Sequence, residues 1–281
     1  MKKFFQVVGM ISLICVSFFV TEKTANVVKD ADTIMIEIKK KNDSVAYDAI
    51  DATIDGNTII PGISGKEVDI DKSYDKMKRY GSYLESLLEY KLVAPQVSLS
   101  KNYDKYIISG NPTKNMVTFI FLVEESDDVE EVIKQLEKTN TPANFFLDGN
   151  WFEKNNSKVL ELIEDGYEVG NLSYGRNYQD SSFVWMDTII KKVGKQKNSY
   201  CYSEEENLQD LEVCALNRDH TIMPSIVIQN YPSKEVKEQL EPGSIIAFPI
   251  NNTVIQELST IIRYVESKGY KIVNLKEHLT E

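Results

Sequence analysis

The stretch that decides the fold is MVTFIFLVEESDDVEEVIKQLEKTNTPANFFL, residues 116–147. It holds a strand-like run at Val117–Val123, an amphipathic segment at Val129–Lys138 and a second strand-like run at Ala143–Leu147. Short apolar runs bounded by turn residues are typical of buried strands, and apolar residues three and four apart are typical of a helix. The stretch therefore predicts a β-α-β unit with parallel strands.

The same alternation continues to the end of the chain. Further strand-like runs lie at Glu168–Asn171, Ile222–Ile228, Ser244–Pro249 and Lys271–Asn274, and further helical runs at Ser157–Asp165, Val184–Val193, Ser233–Gln239 and Thr253–Ser267. Strands separated by amphipathic helices of this length are typical of the α/β class, with a parallel sheet or barrel.

Two domains are predicted, a small αβ module at residues 32–112 and a larger domain at 113–281. The boundary is placed at Gly110-Asn111-Pro112, because this cluster breaks regular structure. The length of 281 residues is sufficient for one mid-sized domain and one smaller module.

Within the module, the pattern predicts strands first and a helix later. A strand is expected at residues 34–38, where isoleucines alternate with other residues, and a turn is expected at Asp55-Gly56-Asn57 between two extended runs. Ser73 is expected to cap a helix whose apolar face continues through Leu84, Leu87 and Leu88.

The N-terminus is predicted to be a membrane segment, residues 1–21, followed by a stalk at 22–31. Two lysines precede an apolar stretch from Phe4 to Val20, so the start is expected in the cytoplasm and the remainder outside. The best local cleavage site, after Ala25, has Lys23 where a small residue is needed. We therefore expect an uncleaved anchor in the cell membrane. The alternative is a signal peptide whose removal releases a secreted protein.

The net charge and the small numbers of histidines and cysteines limit the classes of partner and cofactor that the protein is expected to bind. Lys and Arg number 32 against 43 Asp and Glu, and the net charge of −11 argues against nucleic acid. The chain contains only two histidines and three cysteines, which are too few for a classical zinc cluster. No cofactor is therefore expected. In an oxidising compartment Cys201 and Cys214 either form a disulfide or remain two separately buried thiols, and the sequence leaves both options open.

Several strings in the larger domain are similar to landmarks of one family. Ala143-Asn144-Phe145-Phe146 is similar to a family run Ala-Thr-Phe-Phe, and residues 166–171 (GYEVGN) are similar to Gly-His-Glu-Ile-Gly-Asn. Residues 242–246 and 268–275 are similar to its last two strands. Residues 116–281 thus resemble the polysaccharide deacetylase family, carbohydrate esterase family 4. The resemblance implies a distorted (β/α) barrel with its site at the C-terminal ends of the strands.

The resemblance also implies that the catalytic residues are lost. Active members hold a divalent metal with an aspartate and two histidines, beside a second aspartate that serves as base. The matching positions here are Phe121 and Leu122 for the aspartates, Leu172 and Arg176 for the histidines, and Pro249 for a later histidine. Leucine offers no lone pair and arginine carries a permanent positive charge. The chain is therefore predicted to be a pseudoenzyme that binds cell-wall carbohydrate or acts as a scaffold.

A rival hypothesis is a divergent hydrolase of carbon–nitrogen bonds in the N-acetyl groups of cell-wall glycan. It would use Glu124, Glu125 or Asp148, with Asn171 as an unusual ligand. The preferred interpretation of the acidic residues at 124–128 is instead the first turn of the following helix. His220 and His278 are expected to be ordinary surface histidines.

The expected glycan groove is lined by Trp151, Asn171, Tyr174 and Tyr178, because exposed aromatic rings stack on sugar rings. Phe152 and Trp185 are expected near the same loops. The alternative is that Trp151 and Trp185 anchor their helices in the core. A third hypothesis makes the module at residues 32–110 the part that recognises peptidoglycan or a surface partner.

Overall fold

The computed structural model describes Ser17 and residues 29–179, 181–195 and 199–281. Nearly all of the predicted membrane segment and most of the predicted stalk lie outside these residues. None of the helices in the described part of the chain is long and apolar enough to cross a membrane. The chain divides into two compact units: Met1–Ala49 with Ser64–Ala94, and Ile50–Ile63 with Pro95–Glu281.

The described strands and helices are numbered along the chain. The strands are β1 (Thr53–Asp55), β2 (Thr58–Ile60), β3 (Gly65–Val68), β4 (Tyr90–Val93), β5 (Tyr106–Ile107), β6 (Met116–Val123), β7 (Asn144–Leu147), β8 (Glu168–Asn171), β9 (Tyr200–Tyr202), β10 (His220–Ile222), β11 (Ile226–Val227), β12 (Ile245–Pro249) and β13 (Lys271–Ile272). The helices are α1 (Thr33–Val45), α2 (Ile70–Tyr80), α3 (Glu130–Thr139), α4 (Gly149–Lys154), α5 (Asn156–Glu164), α6 (Ser182–Val193), α7 (Leu208–Leu216), α8 (Pro232–Gln239), α9 (Asn252–Ser267) and α10 (Leu275–His278).

The larger unit is built on one α/β sheet. Its strand order is β1-β2-β5-β10-β9-β8-β7-β6-β12-β11, with β13 added beside β6. Every pairing is parallel except that of β1 with β2. The α/β class and the parallel strands are therefore confirmed. Among the described strands β1 and β11 do not pair, so the sheet is an open half-barrel rather than a closed barrel.

Strand β6 is buried on both faces. Phe119 and Phe121 enter the apolar cluster that also holds the buried residues of α3 and α9, whereas Ile120 and Leu122 enter a second cluster on the opposite face. This alternation follows from the two-residue period of a strand. Fully burying one such side chain contributes about 1.5–3 kcal/mol, so the strand stabilises both layers.

The smaller unit contains α1, α2 and the antiparallel pair β3–β4. The predicted strand at residues 34–38 is wrong, because these residues lie in α1. Ile34 and Ile38 are buried and four residues apart, while Ile36 is 50% exposed, which is a helical pattern. Asp32 caps the helix by accepting a hydrogen bond from the Ile34 N–H at 2.9 Å.

The second helix also differs from the prediction. Asp69, rather than Ser73, caps α2, and Ser73 is buried within the helix. The helix ends at Gly81, whose φ of 75° is the left-handed conformation that glycine adopts without strain. Leu87 therefore lies in a separate short 3-10 turn, Glu85–Leu87, and does not extend the helix.

The compact units do not follow the predicted boundary between residues 112 and 113. The turn predicted at residues 55–57 is present and joins β1 to β2. However, β2 pairs with β5, and β5 pairs with β10, so these strands complete the large sheet. Backbone pairing thus assigns residues 50–63 and 95–112 to the larger unit.

One disulfide and one buried cluster of ion pairs lie beside β9 and β10. Cys201 of β9 and Cys214 of α7 form a disulfide, which is one of the two options that the sequence left open. Nearby, the Lys191 ammonium lies 2.7 Å from both Asp187 and Asp219. The two carboxylates are almost fully buried, and burial together with the charge of Asp187 raises the pKa of Asp219 to about 7.

We expect Lys191→Met to destabilise the protein by about 3 kcal/mol at pH 8, because it leaves two buried carboxylates without a counter-ion. Lys192→Met is the matched control, since Lys192 is the exposed neighbour on the same helix. Urea unfolding of both variants measures the difference. Equal stability of the two variants would contradict this role for Lys191.

The two histidines are buried, so the expectation of surface histidines is wrong. His220 lies in β10 and stacks on Tyr103 with ring centroids 4.4 Å apart. His278 is fully buried, and its Nδ1 lies 2.8 Å from the Thr118 hydroxyl. Burial lowers the pKa of each imidazole to about 4, because the charged form loses its hydration.

His278 should make folding sensitive to acid. Its pKa is about 4 in the folded protein and about 6.5 when unfolded, so the unfolded chain takes up the proton first. Stability is therefore lost as the pH falls from about 6.5 to about 4, by about 3 kcal/mol. Urea unfolding between pH 7 and pH 4 should show a loss of stability that is about 3 kcal/mol smaller in His278→Gln than in the parent, because the loss that comes from His220 is common to both proteins. An NMR titration of His278 with a pKa near 6.5 would contradict the prediction.

Candidate functional site

The carboxyl ends of four adjacent parallel strands bring polar residues to one edge of the sheet. The strands β6, β7, β8 and β9 are neighbours in that order. Glu124 follows β6, Asp148 follows β7, and the loop that carries Arg176 follows β8. Glu204 lies two residues beyond the end of β9. In open α/β sheets this edge is the usual place for a ligand site.

Arg176 joins two carboxylates at this edge. Its Nη2 donates to Glu124 Oε1 at 2.6 Å and its Nε donates to the same oxygen at 3.1 Å. Its Nη1 donates to Glu204 Oε1 at 2.7 Å. The guanidinium also lies over the ring of Tyr202, 5.4 Å from the centroid. We call Arg176, Glu124 and Glu204 the arginine triad.

The triad keeps its arginine charged. Partial burial acts to lower the pKa of the Arg176 guanidinium, but the hydrogen bonds and charges of Glu204 and Glu124 outweigh burial and raise that pKa above its ordinary value. The side chains of the triad are 37–45% exposed, so water reaches them from one side. The result is a fixed cation between two anions.

Asp148 shapes the loop that presents Arg176. One carboxylate oxygen accepts from the Asn150 N–H and the other accepts from the Gly175 N–H, both at 2.8 Å. Ser173, Gly175 and Arg176 have φ values of 57°, 58° and 60°, which are unfavourable for the two residues with side chains. The bonds to Asp148 help to offset this strain. Asp148 is 2% exposed and each of its oxygens accepts a backbone N–H, so it positions the loop that carries Arg176.

Tyr178 links β8 to β9. The two strands pair at only one position, Asn171 with Cys201. Beyond it, the Tyr178 hydroxyl donates to the Asn171 carbonyl at 2.8 Å and accepts from the Tyr202 N–H at 3.0 Å. The Asn171 side-chain oxygen accepts from the Ser173 N–H at 2.7 Å and begins the loop. These bonds replace the missing rungs of the ladder.

Comparison with known proteins identifies the larger unit. Residues 109–210 match a family model described as polysaccharide deacetylase. This part of the chain is similar to the polysaccharide deacetylases. Protein YlxY of Bacillus subtilis (strain 168) is 28% identical over 242 residues, covering 79% of this chain and 75% of YlxY.

Solved structures of similar proteins cover more of the chain than the family model does. Wild-type BA3943 from Bacillus anthracis, described as a pseudoenzyme of carbohydrate esterase family 4, matches with a TM-score of 0.66 and 25% identity, over 89% of this chain and 96% of BA3943. A BA3943 mutant described as having restored enzymatic activity also matches with a TM-score of 0.66 and 25% identity, over 89% of this chain and 99% of the mutant.

The residues present do not fit the metal that the deacetylase family implies. Leu172 is fully buried in the second apolar cluster and offers no donor. Arg176 repels a cation, and both of its carboxylate partners already bind the guanidinium. Within the ranges that the structure describes, no three or more His, Cys, Asp or Glu side chains are grouped to hold a metal ion.

The degenerate positions on β6 and β12 lie in the sheet. Phe121 stacks with Phe145 and Phe248, and Leu122 is 4% exposed on the other face. Pro249 ends β12 and pairs in register with Leu122. The carboxylate that follows β6 and reaches the site is Glu124. Its interpretation as part of the helix start is wrong, because α3 begins six residues later at Glu130.

The predicted glycan groove is largely wrong. Trp151, Asn171 and Tyr178 are buried, and only Tyr174 is partly exposed. The Trp151 indole donates to the Asp127 carbonyl at 2.8 Å, so the alternative of a core anchor is correct for Trp151. Trp185 is 48% exposed and does not anchor its helix in the core.

The sequence reasoning missed Glu204. Its signal was the run Glu204-Glu205-Glu206 directly after the aromatic strand β9, at the same sheet edge as Arg176. A lone arginine among carboxylates at the ends of neighbouring strands predicts an ion pair, but the partner depends on the loop conformation after β8.

We expect Tyr178→Phe to destabilise the larger unit by about 1–3 kcal/mol, because it leaves the buried Asn171 carbonyl and Tyr202 N–H without their partner. Tyr174→Phe is the matched control, since the Tyr174 hydroxyl bonds to Glu153 at an exposed position. Urea unfolding compares the two. A loss in Tyr174→Phe as large as that in Tyr178→Phe would show that Tyr178 is not a special link.

Proposed function

We propose that this protein is a catalytically inactive relative of the polysaccharide deacetylases that binds cell-wall carbohydrate or acts as a scaffold there. The observation that carries the proposal is the arginine triad. A guanidinium held between Glu124 and Glu204 occupies the sheet edge where the family performs its chemistry.

Chemical reasoning supports the absence of turnover. Hydrolysis of an N-acetyl amide needs an activated water and a base that removes its proton. Arg176 cannot act as a base at physiological pH, and Asp148 is 2% exposed with each oxygen bonded to a backbone N–H of the loop that it positions. Glu124 is neutralised by Arg176. The groups at the site therefore stabilise one another and leave none prepared for proton transfer.

Relatives support the same interpretation. BA3943, which is similar to this chain over most of its length, is described as a pseudoenzyme, and its mutant is described as having restored enzymatic activity. A fold that loses and regains activity through substitutions fits a protein that has kept the scaffold and changed the site. The family's association with polysaccharide is the reason for choosing glycan as ligand.

Anchoring in the cell membrane is a further part of the proposal. It is supported by the apolar stretch Phe4–Val20 behind Lys2 and Lys3, which would place the deacetylase domain outside the cell. Oxidising surroundings there favour the Cys201–Cys214 disulfide.

The test compares binding with turnover in the full chain. We expect the protein to sediment with peptidoglycan and to release no acetate from peptidoglycan or chitooligosaccharide, with or without added zinc or cobalt. Arg176→Met should not release acetate either, because it removes the cation without supplying a base, and its glycan binding reports whether the triad contributes to recognition.

Turnover by the parent would overturn the inactive assignment. Acetate release that is lost in Glu124→Gln but kept in Glu125→Gln would establish the divergent hydrolase, because Glu125 pairs with Lys154 and not with Arg176. Failure to bind any cell-wall fraction would remove the carbohydrate-binding half of the proposal.

A further inference from the structure

In the smaller unit, part of one face of the β3–β4 sheet is exposed to solvent. Tyr47 pairs with Lys66 of β3 through two backbone hydrogen bonds of 3.0 Å, and Lys66 lies opposite Leu92 of β4. Tyr90 lies opposite Val68, two positions along from Lys66. We call Tyr47, Lys66, Tyr90 and Leu92 the tyrosine platform.

The four side chains share one face. Residues directly opposite on antiparallel strands point to the same side, as do residues two apart on one strand. The contact between the Lys66 ammonium and the Tyr90 ring, 4.1 Å from the centroid, agrees with this geometry. Tyr47 and Leu92 are two strand spacings apart, and Tyr90 lies two residues farther along β4, so the two tyrosines are about 12 Å apart.

The platform is open although the same face is covered elsewhere. Val68 is 1% exposed and packs in the cluster formed by α1 and α2. By contrast, Tyr47 is 55% exposed, Tyr90 is 42% exposed and Leu92 is 71% exposed. The helices thus cover one end of the face and leave two aromatic rings and an aliphatic side chain in water.

Lys66 supplies a positive charge to the platform. Its neighbour on the opposite face, Glu67, is already paired with Lys91 at 2.8 Å. Within the described residues Lys66 has no carboxylate at ion-pair distance, and its ammonium rests on the Tyr90 ring instead. In a chain with a net charge of −11, this cation is suited to an anionic ligand.

We propose that the tyrosine platform binds carboxylate-bearing glycan. The apolar faces of two sugar rings would stack on Tyr47 and Tyr90, and a carboxylate on the glycan would pair with Lys66. The choice of a glycan rests on the proposed function. The choice of an acidic glycan rests on the charge of Lys66 between the two rings. The platform belongs to the smaller unit, whereas the arginine triad belongs to the larger unit.

The experiment measures binding of the full chain to two soluble probes of equal length, peptidoglycan glycan strands with their lactyl carboxylates and neutral chitooligosaccharides. We expect tighter binding to the acidic strands. Lys66→Gln should reduce affinity for the acidic strands to that for the neutral probe. Tyr47→Ala with Tyr90→Ala should weaken both by roughly tenfold.

Two control variants lie in the same unit. Tyr80→Ala removes a tyrosine that is 67% exposed on α2, and Lys91→Gln removes the lysine paired with Glu67. Neither should change affinity. Circular dichroism and urea unfolding confirm that each variant is folded.

The outcomes separate the two proposals. If the parent binds glycan and the platform variants bind equally well, the platform is wrong and the proposed function stands. If Lys66→Gln has no effect while the tyrosine variants do, the ligand is glycan without a required carboxylate, and the acidic specificity is wrong. If the parent binds neither probe, the platform proposal fails, whereas the absence of acetate release is judged separately.

Discussion

Burial of β6 on both faces is the constraint on which the larger unit depends. A strand without a polar face cannot lie at the surface, so it needs a sheet neighbour on each side and a layer of side chains above and below. β7 and β12 supply the neighbours, and α3 and α9 contribute to the layer on one side. Because these strands are parallel, their carboxyl ends must meet at one edge. The position of the arginine triad is therefore a result of packing far from it.

Much of this architecture could be predicted from sequence because its signals are local. The buried run of β6, the amphipathic period of α3 and the turn between β1 and β2 each depend on residues within a short window. The destination of β1 and β2 could not be predicted, because their pairing with β5 depends on contacts between distant parts of the chain. The strand predicted at residues 34–38 was wrong for another reason. Isoleucines at 34, 36 and 38 are two residues apart, but the first and last are four apart, so the pattern fits both a strand and a helix.

The candidate site shows a similar division. The resemblance placed Leu172 and Arg176 at the positions of two metal-binding histidines, but it could not show which residues Arg176 contacts instead. That depends on the left-handed turn after β8, which Asp148 and Asn171 stabilise through backbone bonds. Tyr178 was expected in a groove because aromatic residues in loops are often exposed. Its hydroxyl is instead required between two strands that separate early.

The Cys201–Cys214 disulfide ties the arrangement of this edge to the chemistry of its surroundings. β9 meets β8 at a single residue pair, and Glu204 lies only three positions beyond Cys201. Oxidation of two thiols therefore contributes to where one carboxylate of the triad is held. A newly made chain whose two cysteines are still reduced would have the same sequence but a less constrained β9. The final geometry of the site therefore depends on disulfide formation after synthesis as well as on the amino-acid sequence.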